Sequence, residues 1–225
     1  MVRALLVGLI AVALLGELSV MTGPSVVGAP DAVTAIDRAH GTTPRQVSPT
    51  DRIAVALVSA EDASFYSNDG IDLPSLFRAG WGYIRGFDGG GSTIEVQLAD
   101  VLYPTETSGP WGRVHRVTLA LQFDTHFTKG AILSMYLSAV YFGHGYYGVA
   151  AASHGYFGAP PDALGWAQAA LLAGLVQAPS ALDPFVHLAA ARQRMEYVVG
   201  RLVADNRISA AQAVQISNAP LDLRA

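Results

Sequence analysis

The chain has 225 residues, 51% of them hydrophobic and 14% charged, with a net charge of −4 and no cysteine. That length supports one sizeable core with room for division into two lobes. Without cysteine there are no disulfides or thiolate metal sites, and the acidic balance gives no support for nucleic-acid binding.

At the amino terminus, Arg3 precedes an apolar run from Ala4 to Leu15, which Glu17 interrupts before Leu18 to Met21. A spanning helix needs roughly 20 apolar residues, so residues 1–21 fit a signal sequence or signal anchor better, with Arg3 on the cytoplasmic side. Val27-Gly28-Ala29 is followed by Pro30 and offers no clear cleavage site, which favours an uncleaved anchor. Residues 22–47 hold scattered Gly, Pro, Thr and Ser and are expected to form a linker.

Ser48-Pro49-Thr50-Asp51 predicts a helix start, with Ser48 as N-cap, Pro49 at the first helical position and an acid in the first turn. Ile53, Leu57 and Glu61 recur every fourth residue and share one face. A carboxylate on an apolar stripe loses solvation, which is how proteins prepare a carboxyl group for proton transfer. Glu61 is therefore the first candidate for chemistry, although the local pattern also allows a frayed helix end that reaches water.

From Leu73 to Phe87, large aromatics alternate with Arg78 and Arg85, which suits a membrane interface as well as it suits a core helix with two solvated arginines. Gly86 to Thr93, GFDGGGST, resembles a phosphate loop without its lysine. Its glycines and hydroxyls could still bring backbone N–H groups close to a phosphate or sugar. Ile132, Leu133, Tyr136, Leu137 and Val140 predict an amphipathic helix ended by Gly143. Gly143 to Gly148 matches a dinucleotide fingerprint in spacing, but a helical pattern precedes it where a strand is required. Residues 162–176 are apolar nearly all round, as in a buried central helix. Leu188, Ala191, Met195, Val198, Val199 and Leu202 mark another helix, and Ser209 to Gln212 fits a capping box for a last one. His40, His115, His126, His144, His154 and His187 show no paired ligand spacing, so no metal ligands are assigned. With no convincing alternating strand, the fold is expected to be mostly α.

Taken in order, these segments resemble the peptidoglycan glycosyltransferases of family 51, the transglycosylase domain of penicillin-binding proteins. Glu61-Asp62-Ala63-Ser64-Phe65 through Gly70 is similar to that family's first motif, E-D-x-x-F-x-x-H-x-G. Gly90-Gly91-Ser92-Thr93-Ile94 with Gln97-Leu98-Ala99 resembles the second, G-G-S-T-I-T-Q-Q-L-A-K. Thr128-Lys129 through Tyr141-Phe142-Gly143 resembles the fourth, and Ala170 to Pro184 the fifth. Gly148 and Tyr156-Phe157-Gly158 fit between the fourth and fifth, and five ordered segments across residues 48–184 are far more specific than any one of them.

The resemblance implies a lysozyme-like glycosyltransferase domain over 48–225, with a smaller membrane-facing lobe that includes the aromatic segment 73–87. It implies one amino-terminal anchor and a catalytic domain on the outer face of the cytoplasmic membrane. The substrates implied are lipid II and the growing glycan strand, and other wall-synthesis proteins are candidate partners. Glu61 would be the general base that takes the proton from the acceptor sugar's 4-hydroxyl, and undecaprenyl pyrophosphate would be the leaving group. Substrate-binding positions carried over by motif are Asp62, Phe65, Gly90, Gly91, Ser92, Thr93, Gln97, Arg113, Arg116 and Lys129. Family members neutralise the pyrophosphate with basic side chains, sometimes helped by a divalent cation such as Mg or Mn.

The chain also departs from the pattern. Asn68 replaces the first motif's histidine, Glu95, Val96 and Asp100 replace threonine, glutamine and lysine of the second, and Ser138 replaces the fourth motif's asparagine. In the third motif, R-K-x-x-E, Arg113 falls on the lysine and Arg116 on the glutamate, and no acid occurs from Trp111 to Phe123. A paired reversal at Asp100 and Arg116 would keep an attraction if the two side chains face each other; otherwise both are ordinary solvated charges. The expected activity is monofunctional polymerisation of lipid II. The alternatives are a catalytically impaired protein that binds lipid-linked precursor or a wall-synthesis partner, and a lysozyme-like glycan hydrolase using Glu61 as general acid.

Overall fold

Apolar residues spaced at three and four fall on helices throughout a computed structural model of the chain, which describes residues 25–42, 47–71, 92–104 and 109–224. The described residues form nine α-helices and two short 3₁₀ turns. The only extended pairing among them is an isolated antiparallel bridge between Tyr141 and Tyr147. The mostly helical expectation holds for this part of the chain.

The first helix lies within residues 22–47, which were expected to form a linker. After a 3₁₀ turn at Val26–Gly28, helix α1 (Ala29–His40) starts with Pro30 in its first turn beside Asp31 and stops at Gly41 in the left-handed region, φ 68°. Ala29, Val33 and Asp37, four apart, form its buried face. Small and polar residues on that stripe hid the helix from a composition-based reading. α1 packs against α5 (Lys129–Ala139).

Helix α2 (Arg52–Glu61) begins three residues later than predicted, with Asp51 rather than Ser48 as the N-cap. Ser48 N–H donates to Asp51 Oδ2 at 3.0 Å, so these residues form a turn ahead of the helix. Then follow α3 (Ile94–Leu102) and α4 (Pro110–His126). α5 ends at Ala139, where Val140 turns extended, so Gly143 lies in the following turn and is not the helix stop. The remaining helices are α6 (Val149–Phe157), α7 (Trp166–Leu175), α8 (Leu188–Ala204) and α9 (Ala210–Asn218). The capping box expected at Ser209 and Gln212 is present.

α7 is the centre of one half of the molecule, with Ala169 to Leu175 buried throughout. Leu171, Leu172 and Leu175 have no exposed surface, and burial of each contributes roughly 1.5–3 kcal/mol relative to exposure. α2 and α8 both pack on α7 and on each other. Gly174 permits the close crossing, since a Cβ there would lie 3.0 Å from Cγ of Arg194. This three-helix layer brings the end of α2 beside the middle of α8. α3 packs against α4 and α5 and reaches the same helix end from the other side.

Among the described residues no helix is long and apolar enough to cross a membrane. The anchor expected at 1–21, the aromatic segment 73–87, and Gly90 and Gly91 lie outside the described residues.

Candidate active site

Glu61 is the last residue of α2, where the helix dipole disfavours an anion by about 0.3–1 kcal/mol. Its side chain is 13% exposed, so water solvates it little. Two groups offset both costs. Arg194 Nη2 donates to Glu61 Oε1 at 3.1 Å, and Gln97 Nε2 donates to Oε2 at 3.2 Å. An ionised carboxylate offers about four acceptor directions, so each oxygen keeps one for an incoming hydroxyl. The frayed-end alternative is set aside, because Glu61 is held by residues of two other helices.

The Gln97 amide is itself oriented. Tyr136 on α5 is 1% exposed and its hydroxyl donates to Gln97 Oε1. Burial, reinforced by the negative charge of Glu61, pushes the Tyr136 phenol well above its ordinary range, so it remains an O–H donor. With the amide oxygen taken by that donor, the amide nitrogen must face Glu61.

Asp62 and Phe65, expected to contact substrate, are 6% and 0% exposed and build the wall behind Glu61. Asp62 Oδ2 accepts the Ile94 N–H at 3.3 Å, which places a carboxylate at the positive end of α3. Asp62 also receives hydrogen bonds from Ser64 (2.9 Å) and Asn68 (3.1 Å to Oδ2), closing the loop that follows α2. Thr93, 3% exposed, caps α3 and donates to the Gly70 carbonyl at 2.9 Å, while Ser92 before it is exposed.

Lys129 is similarly committed. Its ammonium donates to Glu95 Oε1 at 2.6 Å, and to Asp124 Oδ1 and Asn68 Oδ1 at 2.8 Å each, above the Phe65 ring. Burial lowers the affinity of Lys129 for its proton, but the hydrogen bonds to Asp124 and Glu95 outweigh it and the net direction is up. Glu95 is fully buried with Oε2 unpartnered; burial drives its carboxyl above the ordinary glutamate range despite Lys129. Asn68 and Glu95, two of the departures from the family pattern, thus meet on one lysine. Among the described residues no three His, Asp or Glu side chains are grouped to hold a metal. The two acids that do converge share Lys129 between them, so a resident divalent-cation site does not fit there.

Arg116 and Asp100 face each other across α4 and α3, with Nη1 to Oδ1 at 3.4 Å. The reversed pair is therefore in contact, as a compensating swap requires. Burial raises the Asp100 carboxyl and Arg116 opposes it. Arg113, on the first turns of α4, is exposed.

Arg194 was not singled out from the sequence. It occupies the buried stripe of α8, three residues after Ala191 and four before Val198, an arginine where helical spacing calls for an apolar residue. The same signal identified Glu61, and an acid on one buried stripe calls for a base on another.

A family model for transglycosylases matches residues 33–203. The chain belongs to the transglycosylase family. This transglycosylase domain is 33% identical over 224 residues to a provisionally named transglycosylase of Cupriavidus necator, covering 99% of this chain and 96% of that one. It is 34% identical to penicillin-binding protein 1F of Bacillus subtilis, covering 76% of this chain and 24% of the relative. With penicillin-binding protein 1A of Pseudomonas aeruginosa the identity is 35%, over 66% of this chain and 18% of the relative. The transglycosylase chain thus spans about a quarter or less of these penicillin-binding proteins and nearly all of the Cupriavidus protein.

Proposed function

We propose that this transglycosylase is a peptidoglycan glycosyltransferase that polymerises lipid II, with Glu61 as general base and undecaprenyl pyrophosphate as leaving group. The observation that carries the reading is a poorly solvated carboxylate, held by Arg194 and Gln97 with free acceptor directions, at the family's first motif. In this scheme Glu61 takes the proton of the acceptor 4-hydroxyl as that oxygen attacks C1 of the growing strand. The C1–oxygen bond to pyrophosphate breaks with inversion, and the anionic leaving group departs with the bonding electrons.

The leaving group needs a cation. Arg116 and Asp100 are 33% and 49% exposed, and an exposed pair of this kind contributes at most about 1 kcal/mol. Arg116 can therefore exchange Asp100 for a phosphate at little cost, whereas Lys129 would have to leave three acceptors. We assign the pyrophosphate contact to Arg116. The lysozyme-like arrangement, the membrane-facing lobe and the placement at the outer face of the cytoplasmic membrane belong to the same proposal.

One observation favours a second reading. Lys129 and Arg116 both carry acidic partners, which weakens the positive field for pyrophosphate and suits a protein that binds lipid-linked precursor without turning it over. Incubation with labelled lipid II or preformed glycan, with and without a divalent cation, separates the readings. Polymer from lipid II supports the enzyme. Saturable binding without polymer supports the precursor-binding protein, and fragments from preformed glycan indicate hydrolysis.

A further inference from the structure

Arg194 is clamped more firmly than a surface ion pair requires. Its stem lies against Gly174, its guanidinium lies 4.3 Å from the Tyr197 ring centroid, and its side chain is 18% exposed. Its Nε is buried without an acceptor. A native structure carries few such unsatisfied donors, and one at this position indicates that the guanidinium is placed for Glu61 and not for its own hydrogen bonding. Among the described residues, the surroundings leave Arg194 as the cation that faces the carboxylate. α3 contributes the neutral Gln97 amide and α5 the neutral Tyr136 phenol. α7, packed on both α2 and α8, has no charged residue. On α8, two turns beyond Arg194, Arg201 donates its Nε to the Ser59 carbonyl at 3.2 Å and pairs with Asp205.

We infer that Arg194 is a positioning residue that aims the Glu61 carboxylate and supplies the positive charge facing it. The inference rests on the reading of Glu61 as general base. Arg194 itself takes no proton and need not touch substrate. It acts through Oε1, and with Gln97 on Oε2 it fixes the plane of the carboxylate. Without it, a poorly solvated anion remains at the negative end of a helix, where protonation is the cheapest relief.

The test uses the whole chain and the variants Arg194→Met, Arg194→Gln and Arg194→Lys. The carboxyl carbons of glutamate-labelled protein are followed by NMR as pH is varied, and the Glu61 signal is the one missing from Glu61→Gln. Loss of the charge in Arg194→Met or Arg194→Gln is expected to move the Glu61 midpoint upward by about 1–3 pH units, the effect of an adjacent cation on a carboxylate. Arg194→Lys, which keeps the charge, is expected to recover most of the shift. In polymerisation assays the acid limb of the kcat profile should move by the same amount, with little change in KM. A folded, charge-removed variant whose Glu61 midpoint equals the parent's overturns the inference. So does a large rise in KM without displacement of the pH profile, which would make Arg194 a substrate contact. If Arg194→Met fails to fold, Arg194→Gln carries the same comparison. Failure of the parent to polymerise lipid II would sink the proposed function, while the titration would still decide the coupling.

Discussion

Tyr136 donates its hydroxyl to Gln97 Oε1, and that bond decides which end of the Gln97 amide faces Glu61. In Tyr136→Phe the amide loses its orienting donor and can turn its oxygen toward the carboxylate. One such hydrogen bond is worth about 0.5–1.5 kcal/mol, so polymerisation should fall roughly two- to tenfold with the fold retained. Steady-state kcat with a thermal melt checks this. Parent-like turnover would show that the amide holds its orientation without Tyr136.

Glu61→Gln keeps the shape and the possibility of a hydrogen bond but cannot accept the proton. Under the proposed function, glycan polymerisation should be abolished while circular dichroism and melting stay close to the parent. Polymer formed by the variant at near parental rate would remove Glu61 from the mechanism.

Lys129 and Glu95 should respond unequally to truncation. Lys129→Met leaves Glu95 fully buried and unpaired, a loss on the order of 3–5 kcal/mol. Glu95→Gln leaves Lys129 with Asp124 and Asn68 and should cost much less. The pH dependence has a definite sign. Because burial raises the folded-state value of Glu95 above the ordinary 4.5, its contribution is fully present below that value and is lost as pH rises through the folded-state value. Denaturant unfolding across that window should therefore show a smaller loss of stability in Glu95→Gln than in the parent. An equal slope would mean that Glu95 does not report the burial.

Asp100 and Arg116 are in contact at 3.4 Å, which permits a double-mutant cycle. Asp100→Ala and Arg116→Ala should each change folding stability by less than about 1 kcal/mol, as for exposed pairs. On binding of lipid-linked precursor the two should couple, with Arg116→Ala the more harmful. Simple additivity on binding would indicate two unrelated substitutions.

Gly148, at φ 76°, is backed by the Ser138 carbonyl oxygen, which would lie 2.4 Å from an added Cβ. Both the backbone conformation and the close approach require glycine. Gly148→Ala should destabilise the protein by more than about 1 kcal/mol, read as a lower denaturant midpoint at unchanged slope.

Much of this protein was legible where the information is local. The burial of residues 169–175, the stripe on α8 and the capping box at Ser209 all follow from spacing, because a helix repeats every 3.6 residues whatever surrounds it. Glu61 was legible for the same reason, as an acid on an apolar stripe. Local rules failed at the start of α2. Ser48 was expected as the N-cap with Asp51 in the first turn, but Ser48 to Asp51 form a turn and Asp51 takes the N-cap position. α1 escaped notice because its buried face is made of Ala, Val and an aspartate, which composition cannot distinguish from a linker.

The sequence by itself determined the helical class, the acid at the end of α2 and the family. It also set out the reversed charges at 100 and 116, but their meeting depended on how α3 packs against α4. Only the tertiary structure decided what Glu61 touches. Arg194 lies 133 residues away along the chain, Gln97 lies 36 away, and the Tyr136 that orients Gln97 lies 39 beyond it. The same packing made Lys129 the hub of Glu95, Asp124 and Asn68. Helical period records which residues share a face, but not which faces meet. That depends on crossings such as the one at Gly174, where a missing side chain lets α8 approach and sets Arg194 against Glu61.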